Sequence, residues 1–221
     1  NFSSSRSTKI GEKVLLAKKF LNISGLSDFE KHSSLMTFFD SEKRQKLFRD
    51  QTSNMEIRHE ELWGTGNDYV NNALYFDMLT YLPGDLLPKE DLMGMAFGLE
   101  NRVPFLDHRI VDFSLKVPTK YKVSNHTTKY LLRKAFEDAL PRRVLYREKH
   151  GFALPISEWI RKDLYKFVSR ILFSDRTRER AIVNSDYLKE LLEVHRQGKS
   201  DLGQHIWSIL IFELWCREFL D

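Results

Sequence analysis

Between Tyr81 and Arg109 the chain reads Y-L-P-G-D-L-L-P-K-E-D-L-M-G-M-A-F-G-L-E-N-R-V-P-F-L-D-H-R, an apolar run broken by Asp91, Glu100, Arg102 and Asp107. An ion removed from water is costly unless it is paired or sits in a polar cavity. If this run is buried, the four side chains form internal ion pairs or line a site that handles charge. Spacing alone leaves both roles open for Glu100 and Arg102, which suit either a salt bridge fixing the bend at Val103-Pro104 or a reactive pair. Asp107 stands where an N-cap belongs.

A second conspicuous run is Y-R-E-K-H-G-F-A-L-P, from Tyr146 to Pro155. Lys149 sits there on a loop beside a glycine and an aromatic, a mobile point charge suited to phosphate oxygens. Solvated surface lysine is the commoner role for such a residue. Met93, Met95 and Phe97 read as core-facing residues of a helix and carry no chemistry.

Other chemistries find no support. His32, His59, His108, His126, His150, His195 and His205 show neither H-E-x-x-H nor a zinc spacing with cysteine, so no metal site is expected. There is no G-x-S-x-G elbow, no G-x-G-x-x-G and no P-loop. Cys216, the only cysteine, falls in the apolar pattern of the last helix and reads as a buried structural thiol.

Composition bounds the class. The 221 residues are 42% hydrophobic and 13% aromatic, enough for a core in a single domain spanning 1–221. The net charge of +4 is spread along the chain, which argues against nucleic acid as a partner. No run approaches the roughly 20 apolar residues of a membrane span, and Asn1 to Arg6 is polar, so a cytoplasmic location is expected. A start at Asn1 points to a piece of something longer.

Positioning these residues falls to helices. Apolar spacing predicts helices over Ile10–Phe20, from Asp40 through Phe48, and over Asp68–Leu82 with Pro83-Gly84 as the stop. Pro88 suits the first turn of the next helix. Val103 to Leu106 reads as extended, and Asp107 caps a helix over His108–Leu115. Thr128 opens a helix with a stripe of Leu131, Leu132, Ala135, Phe136 and Ala139 that stops at Pro141. Helices from Ile156, Asp163 and Ser185 follow, Gly198 ends the third, and Leu202–Leu220 forms a central packing helix. Strands are few or absent, so the fold class is mainly α.

Four ordered segments resemble one family: L-P-G-D-L-L-P-K-E-D-L-M-G-M-A, L-E-N-R-V-P-F-L-D-H-R, T-K-Y-L-L-R-K-A and R-E-K-H-G-F-A-L-P-I-S-E-W-I-R. They are similar to the C-terminal part of glutamine-dependent asparagine synthetases. That resemblance implies the helical C-terminal portion of an α/β adenine-nucleotide-hydrolase-like, ATP-pyrophosphatase synthetase domain. It implies a ligase of asparagine biosynthesis that adenylates the side-chain carboxylate of aspartate with ATP and Mg2+, releases pyrophosphate, and transfers ammonia from an N-terminal glutaminase domain.

Carried over by motif, Lys149 matches the lysine that meets the leaving pyrophosphate. Glu100 and Arg102 match residues facing the acyl group and ammonia, so Lys149, Glu100 and Arg102 are the candidate catalytic set. Asp91 matches the acidic residue of D-R-x-S-M-A and is a candidate for substrate binding. Leu92 and Gly94 depart from that pattern, which points either to a divergent acceptor or to a helical scaffold that has lost catalysis. Lys129 and Arg133 match T-K-x-x-L-R and read as packing residues.

The family's S-G-G-x-D-S loop, its G-E-G-x-D-E segment and its glutaminase domain have no match here, so ATP and Mg2+ are expected to be held mainly by upstream segments. The chain alone is expected to be inactive, with an apolar face that aggregates or pairs with a second copy. Two other outcomes are a family member amidating another carboxylate and a helical scaffold subunit without catalysis.

Overall fold

The structure, a computed structural model, describes residues 24–49, 59–66, 68–147 and 154–221. The helix expected over Ile10–Phe20 lies outside them. The described residues are mainly helical, with one two-stranded hairpin, Val123–Ser124 against Thr127–Thr128. Asn125 and His126 form its turn with φ of 47° and 60°, as a two-residue hairpin connection requires. The chain divides into two compact units, Asn1–His32 with Ile57–His150, and Ser33–Glu56 with Gly151–Asp221. Among the described residues no helix is long and apolar enough to cross a membrane.

The first unit holds the helices Tyr69–Leu79, Leu87–Met95, His108–Lys116 and Tyr130–Ala135, with single turns at Thr119–Lys122 and Arg142–Leu145. Asp68 caps the first of these by accepting from the backbone N–H groups of Val70 and Asn71 at 3.0 and 3.3 Å. The Thr119 hydroxyl also donates to Asp68, which ties the cap to the Thr119–Lys122 turn. His32 Nε2 lies 2.8 Å from Asp77 Oδ1, inside a cluster of Phe29, Trp63, Tyr69 and Phe76 rings. Arg133 bonds the Leu145 carbonyl at 2.5 Å and stacks on Tyr146, a packing role.

Four expectations about this unit need correction. The helix expected to open at Thr128 and run to Pro141 starts at Tyr130, because Thr128 pairs in the hairpin, and ends at Ala135. The helix predicted to run to Leu82 ends at Leu79, and Pro83 and Gly84 lie inside a π-helical turn, Leu82–Leu86, that feeds the next helix. Proline early in a helical segment lacks only an N–H that has no partner there, so Pro83 need not stop the chain. Val103 is extended, but Pro104–Leu106 closes into a 3₁₀ turn. Met93, Met95 and Phe97 are not core: they are 62%, 53% and 85% exposed. A helix layer hides its apolar stripe only where a second layer lies on it, and among the described residues of this unit only Phe76, Val117 and His32 are buried.

The second unit has the closed core. Ile160, Val168, Leu172, Leu188, Ile206 and Leu210 are essentially inaccessible, supplied by helices Ile156–Arg161, Tyr165–Leu172, Ser185–Arg196 and Gly203–Phe219. The second of these starts at Tyr165, not Asp163, and a further helix, Asp175–Arg180, is capped by Ser174. As expected, Asp40 caps Ser41–Leu47, and Gly198 at φ 69° closes Ser185–Arg196. Gly203 is buried against Ser157, where a Cβ would meet the serine Cα at 2.7 Å. The Cys216 thiol is buried, and burial pushes its pKa up, which suits a structural residue.

Glu213, buried at 2% exposure on the last helix, accepts from Arg217 Nε at 2.9 Å and Arg180 Nε at 3.3 Å. Arg180 reaches on to both Asp221 carboxylate oxygens at 2.9 and 3.0 Å. That bidentate bond, opposed by desolvation and helped by Glu213, holds the guanidinium firmly charged.

Candidate functional site

The helix Leu87–Met95 starts with Pro88 in its first turn and ends in a Schellman arrangement. Gly98 takes φ 69°, its N–H bonds the Met95 carbonyl at 3.0 Å, and the Leu99 N–H bonds the Gly94 carbonyl at 3.0 Å. The chain therefore reverses, and Asn101 donates its side-chain amide to the Glu90 carbonyl at 2.8 Å. Beyond it, Val103 is extended, and Asp107 caps His108–Lys116 by accepting from the Arg109 N–H at 2.9 Å.

This turn brings Asp91 and Arg102 to the walls of one cleft of about 600 Å³, with Glu90, Leu92, Asn101 and Leu106 among its other residues. Glu100 joins them through its ion pair with Arg102, Nη2 to Oε1 at 2.5 Å. The expected burial is not found: the side chains of Glu100 and Arg102 are 66% and 87% exposed. Exposed pairs contribute about 0–1 kcal/mol, so this one does not fix the bend at Val103-Pro104. The Schellman bonds, the Asn101 amide and the Asp107 cap do that, which leaves both charges facing solvent at the cleft.

Asp107 separates from that set. Its carboxylate takes Arg109 Nε and Nη2 at 2.9 Å each, and the Arg109 side chain, then its backbone N–H, holds the carboxyl below the usual range. With these bonds made, Asp107 is a helix cap, the role its position suggested.

Lys149, the third candidate catalytic residue, lies outside the described residues. Asn101 and Glu90 were not among the residues the sequence singled out; Gly98 as a C′ glycine is the signal that locates the reversal carrying Asn101.

The donor set here does not suit a metal. Among the described residues no three His, Cys, Asp or Glu side chains gather as a cation site requires. One guanidinium, already paired, is also less than a triphosphate cradle needs. Elsewhere in the unit, a groove of about 320 Å³ between Phe113, Val117, Tyr121 and Leu131 is almost wholly apolar.

Fold and cleft together define a mainly helical module that carries an accessible Glu–Arg pair and a second carboxylate on a locked helix end. The chain matches the asparagine synthase family model over residues 5–217. It is 38% identical over 181 residues to asparagine synthetase [glutamine-hydrolyzing] 1 of Bacillus subtilis, covering 80% of this chain and 28% of that protein. A putative asparagine synthetase [glutamine-hydrolyzing] of Mycobacterium bovis is 37% identical over 157 residues, covering 71% and 24%. The asparagine synthetase [glutamine-hydrolyzing] of Gallus gallus is 32% identical over 135 residues, covering 54% and 24%. No solved structure matches the chain significantly. The chain therefore belongs to the asparagine synthase family, and it spans about a quarter of the length of these relatives.

Proposed function

We propose that this chain supplies part of the synthetase site of an ATP-dependent amide ligase that converts aspartate, ATP and ammonia to asparagine, AMP and pyrophosphate. Ammonia would come from glutamine in a partner glutaminase segment. An aspartate side-chain oxygen attacks the α-phosphorus of substrate ATP and displaces pyrophosphate, leaving a mixed anhydride. Ammonia adds to its acyl carbon, and AMP leaves as the amide forms.

In this reading Lys149 balances the charge on the departing pyrophosphate. Glu100 takes the proton that the attacking nitrogen must lose, and Arg102 holds the Glu100 carboxylate in place. Asp91 faces the same cleft and suits an ammonium group of the substrate. No step is assigned to Mg2+ on these residues, and the upstream family segments are the expected holders of ATP.

The observation that carries the reading is the 2.5 Å Glu100–Arg102 pair, exposed beside Asp91 within the segment the family model matches. A second reading is a different carboxylate acceptor, favoured by Leu92, which puts a 62% exposed apolar side chain on the cleft.

The test supplies ATP, aspartate and ammonia to the full-length protein and measures pyrophosphate and asparagine. Lys149→Ala is expected to lower pyrophosphate release by on the order of a hundredfold, and Glu100→Gln to slow amide formation more than pyrophosphate release. Undiminished release in Lys149→Ala would remove that residue from the site. Release with another carboxylate but not aspartate would favour the second reading, and none with any carboxylate would favour a scaffold.

A further inference from the structure

We propose that Asn101 is a positioning residue for the Glu100–Arg102 pair, and that Gly94 is the residue that lets it act. The inference rests on the reading of Glu100 and Arg102 as reacting groups. Little else holds them. Leu99 is 63% exposed, and the ion pair between Glu100 and Arg102 is exposed on both sides. Neither burial nor a surface salt bridge can fix a backbone to the fraction of an ångström that catalysis needs.

What fixes it is a short ladder of hydrogen bonds to one helix end. The Leu99 N–H closes on the Gly94 carbonyl, and two residues later the Asn101 side-chain amide closes on the Glu90 carbonyl at 2.8 Å. Glu90 precedes Asp91 in the helix, while Asn101 stands between Glu100 and Arg102. The amide thus couples the backbone bearing the pair to the turn bearing the third cleft charge.

Gly94 lies under this bond. A Cβ there would be 2.5 Å from Asn101 Nδ2 and 2.8 Å from the Leu99 carbonyl oxygen. The second contact is backbone and cannot rotate away, so any side chain at 94 must displace the amide, the reversal, or both. The absence of a side chain at Gly94 and the donor at Asn101 form one device.

Two variants of the full-length protein test it, Asn101→Asp and Gly94→Ala. Asn101→Asp keeps the shape but turns a carboxylate oxygen toward the Glu90 carbonyl. Each is expected to lower kcat for amide formation about tenfold, with KM for ATP changed less than about twofold. Asn101→Asp is expected to leave thermal stability nearly unchanged, while Gly94→Ala, which must shift the Leu99 backbone, is expected to lower Tm as well. An unaltered kcat in both variants overturns the proposal. So does a kcat loss in Asn101→Asp that tracks a matching fall in Tm and a rise in KM, which would mark a purely structural role.

Hydrogen exchange decides separately from turnover. Gly94→Ala is expected to speed exchange of the Leu99 amide, and Asn101→Asp to shift the NMR signal of the Arg102 Nε–H. If the wild type forms no amide from any carboxylate, the functional reading fails alone, because these signals still report the coupling. Both signals unchanged would refute it.

Discussion

Glu213→Gln tests the ionic link that ties the last helix to the rest of the second unit. Glu213 is 2% exposed and accepts from two guanidiniums, Arg217 at 2.9 Å and Arg180 at 3.3 Å. Glutamine keeps the shape, removes the charge and turns an NH2 group toward one of the two cations. Removing one partner from a buried pair costs about 3–5 kcal/mol. Arg217 keeps the Ile171 carbonyl at 3.0 Å and the Ser174 hydroxyl at 2.6 Å, while Arg180 keeps Asp221, so the low end applies, about 3 kcal/mol. For a chain of this length that is a fall in Tm of about 6–12 °C, read by circular dichroism. Arg217→Gln and the double variant complete a cycle, in which the double is expected to lose less than the sum of the singles. A shift under about 2 °C, or strictly additive losses, would refute the claim that this network holds the helix.

Two further perturbations address the same unit. His205 lies 4.9 Å from the Phe39 ring with its Nε2 buried and unpartnered, and burial, then the Lys43 charge, lowers its pKa. A folded value below the unfolded one of about 6.5 means that the unfolded chain binds more protons in that window. Stability is therefore expected to rise with pH through it and to fall on acidification below about pH 6.5; denaturant midpoints should show a shallower slope in His205→Phe, and an identical slope would refute the assignment. Gly203→Ala puts a methyl 2.2 Å from Ser157 Oγ and 2.7 Å from its Cα, so the helices Ile156–Arg161 and Gly203–Phe219 must separate. The expected cost is about 1–3 kcal/mol of stability, and an unchanged Tm would show that the contact yields freely.

How much of this was legible in sequence depended on the range of the interaction. The stop expected at Pro83-Gly84 did not hold, but caps and one helix end read correctly, with Asp40, Asp107, Pro88 and Gly198 acting within a few residues of themselves. So did membership of a mainly helical fold and the family, because ordered motifs survive at 37–38% identity. Burial did not. The 3.6-residue period says which face of Leu87–Met95 is apolar, not whether another layer covers it, and Met93 at 62% exposure is the result. Glu213 was silent in sequence for a different reason: Arg180 is 33 residues away, and no local pattern encodes that pairing.

The two units hold their key residues by different means. In the second unit, side chains such as Leu188 and Ile206 are wholly buried, so packing sets position and a lost charge there changes stability. In the first, Asp91, Glu100 and Arg102 stand on a surface where Phe97 is 85% exposed and few described side chains are buried, so packing sets little. Position there comes from directional bonds that need little burial: the αL glycine at 98, the Asn101 amide, and the Asp107 cap with its paired arginine. Each such bond contributes only about 0.5–1.5 kcal/mol, too little to dominate the stability of the chain. A shift of the backbone between Glu90 and Arg102 would nevertheless move the groups that line the cleft. Substitutions around Asn101 should therefore separate activity from stability, whereas those around Glu213 should move stability first.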